Sequence, residues 1–314
     1  IVYKYININI NKINNIINRK MNRKYKERAR GCFLGQLIGD ALGTRYEFSS
    51  SLNSKLSIKK DIHNGFLDIK GGGPFKLGVG QVTDDSELAL GLTRTISKYK
   101  KYEKEKVAEK YISWFKSNPF DIGNSTRNAF LNAKNYNDII RNSKKYNKNS
   151  LSNGCLMRIS PLAILGYKID SELLEENIIS DCMMTNPNKI CIDATIVFVF
   201  SIKEAIKTGK RDNIYNLAIQ KAKTDIVKNL LQDALIQPYP VNINGRWFNP
   251  DSEYQGYFGF AFQNAFYHIL NGENFYKSMV ETMAMGGDTD TNGCIAGSLL
   301  GAYYGIEYIP KKWI

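Results

Sequence analysis

Hydrophobic residues recur at helical spacing along most of the chain beyond residue 25. Apolar side chains three and four positions apart, separated by polar ones, are typical of helices that bury one face. This pattern covers residues 25–43, 85–98, 103–116, 156–166, 171–184, 188–207, 211–236, 257–270, 273–284 and 292–304. Long alternating patterns typical of strands are absent, so the sequence predicts an all-α fold, a single-domain orthogonal helical bundle over residues 25–314.

Several segments interrupt the helical pattern. The glycine-rich loop 71–80, the Asn- and Lys-rich stretch 134–150 and the aromatic loop 238–256 are predicted to be irregular. Residues 1–24 are low in complexity, which predicts a disordered extension ahead of the bundle. Hydrophobic residues make up 43% of the 314 positions, enough for the remainder to form a substantial core.

The positive charge of the chain is concentrated at its N-terminus. The net charge is +13, and residues 1–30 carry nine Lys or Arg against the single acid Glu27, which gives +8 for that segment. A basic arm of this kind can attract nucleic acid. No nucleic-acid-binding motif accompanies it, so a solvated tail is the favoured interpretation and nucleic acid the less favoured partner.

The cysteines and the hydropathy of the chain predict a cytoplasmic protein. The five cysteines occur singly and without a CxxC motif, as expected for small core residues in a reducing compartment: Cys32, Cys155, Cys182, Cys191 and Cys294. The N-terminal segment does not have the form of a signal peptide. No run approaches the ~20 apolar residues needed to span a bilayer, so no membrane partner is expected.

A first polar cluster, Thr83-Asp84-Asp85, lies immediately before an apolar helix. Oxygen-bearing side chains at this position have two interpretations. They can cap the helix, with Glu87 completing a capping box from Asp84, and this segment alone favours that role. Alternatively, they can bind a cation or take part in catalysis.

A second cluster, residues 288–292, reads Asp-Thr-Asp-Thr-Asn and also enters an apolar helix. Two Asp residues separated by one position present both carboxylates to one side of a turn, and hard divalent cations prefer such oxygen ligands. A helix cap would explain one of these acids but not both. An EF-hand is excluded, because Leu299 stands where the calcium loop requires a bidentate Glu.

Two further features concern packing and acid–base chemistry. Gly31, Gly35, Gly39 and Gly43 share one helix face, and the segment 297–301 forms a GxxxG motif, so close approach of another helix is predicted at both. Glu47 follows Tyr46 and precedes Phe48. In an apolar pocket its carboxyl group would have a raised pKa suited to proton transfer, and the simpler alternative is a solvent-facing Glu.

Taken together, seven segments of the chain resemble the ADP-ribosylglycohydrolase family, including the branch that reactivates nitrogenase reductase. In the family's order they are GCFLGQLIGDALGTRYEF (31–48), GGGPFKLGVGQVTDDS (71–86), FDIGNSTRNAF (120–130), SNGCLMRISPLAI (152–164), MTNPNKICIDA (184–194), GYFGFAFQNAFYHIL (256–270) and GGDTDTNGCIAGSLLGAYYG (286–305). The resemblance covers most of residues 25–314 and implies a hydrolase that removes ADP-ribose from a modified side chain.

The resemblance also implies a binuclear site for two Mg²⁺ or Mn²⁺ ions. The implied metal ligands are Thr83, Asp84, Asp85, Asp288, Asp290 and Thr291. Two such ions can hold vicinal ribose hydroxyls and polarise a water molecule during cleavage at C1. Glu47 matches the family's acid after the first helix, and the implied catalytic residues are Glu47, Asp85 and Asp290.

The implied substrate contacts come from three further segments. They are Asp121, Asn124, Ser152, Asn153, Gly154, Met157, Arg158 and Gly287. Asp121 would face the leaving group, since a carboxylate suits a guanidinium, although the DIGN sequence is equally typical of a turn. Arg158 would either attract phosphate or anchor its loop. Many relatives have Thr-His where this chain has Thr185-Asn186, and Asn can donate a hydrogen bond but carries no charge.

The expected partner is an ADP-ribosylated protein or a small ADP-ribose conjugate. The alternative function is a non-enzymatic ADP-ribose-binding protein, or a crystallin-like structural protein on the same fold. Relatives of that kind have lost the acids, whereas all six implied ligands remain in this chain. Their retention favours the enzyme.

Overall fold

The computed structural model describes residues 12–17 and 22–314. Residues 12–16 are helical, and Ile13, Ile16 and Ile17 are buried against the hydrophobic core. The predicted disorder is therefore wrong for this short segment, whose three isoleucines bury apolar surface. Residues 22–24 of the predicted extension are also ordered, because Asn22 caps the helix that begins at Arg23. Its other parts, residues 1–11 and 18–21, lie outside the described residues.

Helices dominate the described part of the chain, as the hydrophobic pattern predicts. In chain order they are α1 (Arg23–Gly43), α2 (Ser51–Asp61), α3 (Asp84–Tyr99), α4 (Lys104–Phe115), α5 (Asn124–Phe130), α6 (Tyr136–Tyr146), α7 (Ser160–Leu165), α8 (Ser171–Cys182), α9 (Lys189–Thr208), α10 (Arg211–Lys221), α11 (Asp225–Asp233), α12 (Phe258–Asn271), α13 (Phe275–Ala284) and α14 (Thr289–Tyr304). Two antiparallel hairpins accompany them: β1 (Ile62–His63) with β2 (Phe66–Leu67), and β3 (Val241–Ile243) with β4 (Arg246–Phe248).

The predicted helix 211–236 is wrong in one respect, because it is two helices, α10 and α11. The break lies at Lys223 and Thr224, whose backbone N–H groups donate to the Asp193 carboxylate at 3.1 and 2.7 Å. The Thr224 hydroxyl donates to the same carboxylate at 2.6 Å. Asp193 thus caps α11 from α9, a long-range contact that local sequence does not indicate.

The stretch 134–150, predicted to be irregular, contains helix α6. Asn135 caps this helix by accepting a hydrogen bond from the Asp138 N–H at 3.1 Å. Only Ile139 and Ser143 of α6 are buried, so its sequence is rich in solvent-facing polar residues and hides the helical pattern. Helices α2 and α5 were missed for a similar reason, since each buries only three residues.

Helices α1 and α14 pack antiparallel at very short distance in the centre of the bundle. A Cβ atom added to Gly31, Gly35 or Gly39 would lie 2.3, 2.1 or 1.9 Å from a backbone carbonyl oxygen of α14. The facing positions are Gly301, Gly297 and Gly293, respectively. The predicted role of both glycine motifs in close helix packing is confirmed. Backbones can approach this closely only where neither helix has a side chain.

The packing of α1 against α14 brings the end of α1 next to the start of α14, where the second polar cluster lies. The carbonyl oxygen of Gly43, at the end of α1, accepts a hydrogen bond from the Thr289 hydroxyl at 2.7 Å. The Phe48 N–H donates to the Gly287 carbonyl at 2.7 Å, and the Gly287 N–H donates to Ser49 at 2.9 Å. The segment after α1 therefore lies directly against the turn that precedes α14.

Among the described residues, no helix is long and apolar enough to cross a lipid bilayer. The apolar residues of the buried helices pack together in the hydrophobic core. Helix α9, for example, buries thirteen of its residues, and Phe258, Phe260, Phe262 and Phe266 of α12 are fully buried.

The contact between α1 and α14 yields a stability prediction. Gly35→Ala is expected to lower the free energy of unfolding by roughly 1–3 kcal/mol, because the added methyl group would overlap the Gly297 carbonyl. This loss should exceed the gain of about 1 kcal/mol that Ala brings to a helix. Urea denaturation followed by circular dichroism measures the difference. Gly78→Ala is the matched control, because only a Gln81 side-chain atom lies near its added Cβ, and a stabilised Gly35→Ala variant would contradict the packing.

Candidate active site

A cavity of about 260 Å³ opens at the junction of α1, α3 and α14. Six carboxylate side chains line it, namely Glu47, Asp84, Asp85, Asp121, Asp288 and Asp290. No Lys, Arg or His residue of the described chain is among the lining residues. Such a concentration of acids without a basic counterpart is electrostatically unfavourable unless protons or cations neutralise it.

The start of α3 is held by Asp40, a residue that sequence reasoning missed. Its carboxylate accepts hydrogen bonds from the Thr83 N–H at 3.1 Å and the Ser86 N–H at 3.0 Å, and from the Thr83 hydroxyl at 3.1 Å. Asp40 is fully buried, and burial raises its pKa to about 7. An acid inside the glycine-lined, apolar helix α1 was the one signal in the sequence that could have identified it.

The capping-box interpretation of the first cluster is wrong. Thr83 occupies the cap position of α3 without a side-chain cap hydrogen bond. Glu87 instead accepts a hydrogen bond from the Trp114 indole N–H at 2.6 Å. Because Asp40 satisfies the backbone of this helix end, the carboxylates of Asp84 and Asp85 are free to face the cavity.

The two polar clusters converge, although 206 residues separate Asp85 from Thr291. The Thr291 hydroxyl lies 3.3 Å from Asp85 Oδ2, and the Thr83 hydroxyl lies 3.4 Å from the same oxygen. Asp85 Oδ1 is buried and has no hydrogen-bond partner in the structure. Thr83 itself is fully buried and does not line the cavity, whereas Asp85 and Thr291 do.

Among the described residues, Glu47, Asp121 and Asp290 form a close acidic group, with one carboxylate oxygen of each within 4.8 Å of the others. Glu47 is only 6% exposed, so the solvent-facing alternative is wrong, and its Oε2 has no hydrogen-bond partner. Only Asp290 belongs to the implied set of metal ligands. The group could hold a metal ion, and it places Glu47 and Asp121 at the border of the implied site.

Burial and mutual repulsion disfavour the charged forms of these acids. Burial, reinforced by Asp288 and Asp121, raises the pKa of Glu47 to about 9. Burial and the Asp288 carboxylate raise the pKa of Asp121 to about 6. For Asp84, Asp85 and Asp290, burial together with neighbouring acids raises the pKa well above its usual range. A bound divalent cation would reverse this effect, because it favours ionised oxygen ligands.

The DIGN segment forms the predicted turn, and the contact of Asp121 with a leaving group stays a prediction. Gly123 precedes α5 and donates its N–H to Asp84 Oδ2 at 3.3 Å, so the segment is a turn that leads into a helix. Asp121 and Asn124 nevertheless both line the cavity. The turn therefore presents Asp121 to the same space as the other acids.

The loop that contains Ser152, Asn153, Gly154 and Met157 also lines the cavity. The Asn153 side-chain amide donates to Asp288 Oδ2 at 2.7 Å, and the Asn153 N–H donates to the Gly256 carbonyl at 3.1 Å. The first bond holds the carboxylate of Asp288, an acid of the second cluster. All four residues face the cavity, and their contact with a substrate stays a prediction.

Arg158 does not lie where a phosphate contact requires it. Its guanidinium group is fully buried, pairs with Asp181 at 2.9 Å and donates to the Thr185 hydroxyl at 2.8 Å and to the Gly154 carbonyl. It is not among the cavity-lining residues. Arg158 therefore anchors the loop, which is one of its two predicted roles, and it lies outside the cavity in which a substrate contact is predicted.

Gly287 also lies outside the cavity lining, in contrast to its predicted substrate contact. Its φ is 71°, and a Cβ atom there would lie 2.0 Å from the Pro250 carbonyl oxygen. Its backbone pairs with Phe48 and Ser49, as described above. Gly287 therefore joins the segment after α1 to the turn before α14.

Asn186 stands where many relatives have His, and its side chain contacts Ser152, a residue that lines the cavity. Its side-chain amide donates to the Ser152 carbonyl at 3.0 Å and lies 2.9 Å from the Ser152 hydroxyl. Asn186 is fully buried, and its Oδ1 has no hydrogen-bond partner in the structure. The residue positions Ser152 instead of lining the cavity itself.

The sequence of the chain matches a family described as ADP-ribosylglycohydrolase over residues 21–314. The chain belongs to the ADP-ribosylglycohydrolase family. It is 34% identical to the putative ADP-ribosyl glycohydrolase L543 of Acanthamoeba polyphaga mimivirus, over 86% of this chain and 84% of that protein. It is 27% identical to the ADP-ribosyl-[dinitrogen reductase] glycohydrolase of Rhodospirillum rubrum, over 78% of this chain and 76% of that protein.

Solved structures support the fold of this family member. A chain described as an ADP-ribosylglycohydrolase-related protein complex superposes with a TM-score of 0.71 at 24% identity, over 93% of this chain and 92% of that chain. The predicted family, the all-α fold class and the glycohydrolase class of enzyme are confirmed. The roles of individual residues and the identity of the metal stay predictions.

The metal-free glycohydrolase is expected to lose stability as the pH rises. Carboxyl groups whose pKa is raised by folding stabilise the folded state when protonated, and this contribution is lost as the pH passes their folded pKa values. These values are about 6 for Asp121 and about 9 for Glu47, so the melting temperature in chelator should fall between about pH 5 and pH 9.

Magnesium or manganese should raise the melting temperature, and more at the upper end of this range, because the cation binds ionised carboxylates. Differential scanning fluorimetry with potassium at equal ionic strength as control measures both effects. Two results would contradict the proposed role of the carboxylate cluster. One is a melting temperature that rises with pH in chelator, and the other is a melting temperature that neither Mg²⁺ nor Mn²⁺ changes.

Proposed function

We propose that this glycohydrolase removes ADP-ribose from a modified side chain by hydrolysing the glycosidic bond at ribose C1 with the help of two Mg²⁺ or Mn²⁺ ions. The observation that carries the proposal is the single cavity lined by six carboxylates and by no basic residue of the described chain. Its expected substrate is an ADP-ribosylated protein or a small ADP-ribose conjugate.

The residues present fit a pair of divalent cations. The proposed ligands supply only oxygen atoms, which Mg²⁺ and Mn²⁺ prefer, and they are Thr83, Asp84, Asp85, Asp288, Asp290 and Thr291. The unpartnered, buried Oδ1 of Asp85 is a further indication, because a buried carboxylate oxygen normally has a partner. When bound, the cations would supply Lewis acidity to a water molecule and contacts to ribose hydroxyls.

Glu47 is the proposed proton acceptor for the attacking water. It lies outside the proposed ligand set, yet its carboxylate is within 4.8 Å of Asp121 and Asp290, and its Oε2 is unpartnered. As the water oxygen bonds to C1, Glu47 takes the water proton and the bond between C1 and the leaving atom breaks. The leaving atom keeps the bonding electron pair and receives that proton from Glu47, which regenerates the carboxylate. Nearby carboxylates of Asp85 and Asp290 would stabilise positive charge that develops at C1.

The remaining polar residues of the cavity position the substrate. Ser152 and Asn153 line the same cavity as the acids, and the Asn153 side chain is held in place by its hydrogen bond to Asp288. Asp121 is proposed to face the leaving group, because it reaches the cavity from the turn before α5. A binding-only function is the weaker candidate, since the acids that bind metal and transfer protons are all present.

Replacement of one carboxylate tests the mechanism. Asp290→Asn is expected to lower kcat by roughly 10²- to 10⁴-fold, the range typical for loss of a group that acts in the chemical step. The variant should remain folded, because it removes a buried charge that its neighbours repel. Release of ADP-ribose from arginine-linked, serine-linked and O-acetylated conjugates, with Mg²⁺ or Mn²⁺, measures the effect.

Asp225→Asn is the matched control, because the side chain of Asp225 is 95% exposed at the start of α11. It should retain wild-type turnover and metal dependence. Full activity of Asp290→Asn, or of wild-type protein stripped of metal, would refute the proposed mechanism.

A further inference from the structure

Helix α2 leaves most of its side chains exposed to solvent, close to the cavity. It begins three residues after Phe48, a residue that lines the cavity. Its buried residues are Ser54, Ile58 and Asp61, which lie four and three positions apart and therefore share one side of the helix. The opposite side of this 11-residue helix faces solvent.

The centre of the exposed side is apolar. Leu52 is 67% exposed and Leu56 is 50% exposed. They lie four positions apart, so they are neighbours on the helix surface. Phe48, four residues before Leu52, is 54% exposed and lines the cavity. Single exposed leucines are ordinary, but here exposed apolar side chains continue from the cavity lining onto α2.

Three lysines flank the two leucines. They are Lys55, Lys59 and Lys60, and all three are exposed. At about 100° per residue, Lys55 and Lys59 lie on one side of the leucine pair and Lys60 lies on the other. None of the three forms an ion pair with another residue that the structure describes.

The acids close to α2 do not cancel this positive charge. Asp61 is buried at the end of the helix, where it pairs with Arg45 and with Lys70. Asp251 lies at the other end, where it accepts a hydrogen bond from the Ser51 N–H at 2.8 Å. The exposed side of α2 therefore carries three positive charges that have no counter-ion among the described residues.

This combination of side chains indicates the chemistry of a partner. Lysines in the last turn stabilise a helix end, which accounts for Lys59 and Lys60 but not for the exposed leucines. Exposed apolar residues with charge of one sign around them suit a protein surface that has apolar residues and the opposite charge. A lipid surface suits α2 less well, because membrane-surface helices have larger apolar faces with Trp and Phe.

We propose that the exposed side of α2 docks an acidic, leucine-containing segment of the ADP-ribosylated protein whose modified side chain enters the cavity. The inference rests on the proposed function and names its protein partner by chemical class. We call this side the α2 surface, formed by Leu52, Lys55, Leu56, Lys59 and Lys60. Because α2 is about 16 Å long and an extended chain covers about 3.3 Å per residue, the acidic segment should lie roughly 5 to 8 residues from the modified side chain.

Three synthetic peptides of equal length test the α2 surface. Each carries ADP-ribose in the linkage that the wild-type enzyme releases fastest from small conjugates. They differ only in a segment about 5 to 8 residues from the modified side chain, which combines Leu with Glu, with Gln or with Lys. The wild-type enzyme, loaded with Mg²⁺, should cleave the Glu peptide with a kcat/KM roughly 3- to 20-fold above that of the Gln peptide, the ratio that two exposed ion pairs provide. The Lys peptide should be cleaved least well, and high salt should reduce these differences.

Charge reversal on the α2 surface should reverse this order. Lys59→Glu combined with Lys60→Glu is expected to lower kcat/KM for the Glu peptide by roughly 3- to 20-fold and to raise it for the Lys peptide. The value for the small conjugate should change by less than about twofold, because α2 does not contact it. A gain on the Lys peptide requires a contact with the reversed charges, since damage to the fold would lower all three values.

Lys144→Glu combined with Lys145→Glu is the matched control. These two exposed lysines also occupy the last turn of an 11-residue helix, α6, so both double variants lose the same favourable charge at a helix end. The control should keep the wild-type order of the three peptides. Equal changes in both double variants would reflect only the net charge of the chain and would overturn the α2 surface.

Leu52→Asn tests the apolar part of the α2 surface. It is expected to lower kcat/KM for the Glu peptide by roughly 2- to 10-fold, because the exposed leucine would no longer bury apolar area against the peptide. The loss should disappear with a Glu peptide in which Ala replaces Leu. A loss of the same size on the small conjugate would show that the substitution acts on the cavity itself, which would contradict docking.

Two further measurements address other occupants of the α2 surface. Binding of the wild-type protein to phosphatidylserine vesicles, abolished by the Lys59 and Lys60 reversal, would overturn the proposed partner in favour of a lipid surface. A dimer in light scattering that the same reversal dissociates would overturn it in favour of a second copy of the chain.

The outcomes also separate the two proposals. Equal cleavage of the three peptides by the wild-type enzyme would overturn the α2 surface and leave the proposed function standing. Failure of the wild-type enzyme, loaded with Mg²⁺ or Mn²⁺, to release ADP-ribose from any small conjugate or peptide would overturn the proposed function itself. A preference for the Glu peptide that the α2 reversal inverts supports both.

Discussion

The contact between α1 and α14 is the constraint on which the site depends. Glycines on both helices let the backbones meet where any side chain would overlap a carbonyl oxygen, as at Gly35 and Gly297. The end of α1 is thereby brought to Thr289, and Glu47 reaches the acids of the second cluster. Because protein interiors are close-packed, the distance between the two helices cannot increase without moving the acids that line the cavity on both sides.

The same junction concentrates six acidic side chains, and no basic residue of the described chain lines the cavity beside them. Asp40 takes over the capping of α3, so Asp84 and Asp85 keep their carboxylates for the cavity. Burial of these acids works against the stability of the metal-free fold, since each prefers its protonated form. The buried acids therefore lower the stability of the metal-free protein, and bound divalent cations would offset this loss.

Around this centre, fully buried polar groups hold the cavity walls in place. Arg158 pairs with Asp181 beneath the loop that carries Asn153, and Asn186 supports Ser152 from behind. Arg45, two residues before Glu47, pairs with Asp61 and donates a hydrogen bond to the Gly71 carbonyl, which ties the glycine-rich loop to this segment. A site built from loops gains its rigidity from such supports, because every buried donor and acceptor needs a partner in one defined geometry.

The sequence by itself determined the helical class, the glycine-lined packing faces and the two acidic clusters, because these are local patterns of spacing and residue type. Family resemblance then indicated which clusters belong together. Only the tertiary structure decided that Asp40 and Asp193 cap distant helices, that Arg158 is an anchor and that Phe75 contacts both Phe48 and Phe120. Each of these depends on partners far apart in the chain, and a hydrogen bond or ring contact between them exists only once the fold has fixed their distance.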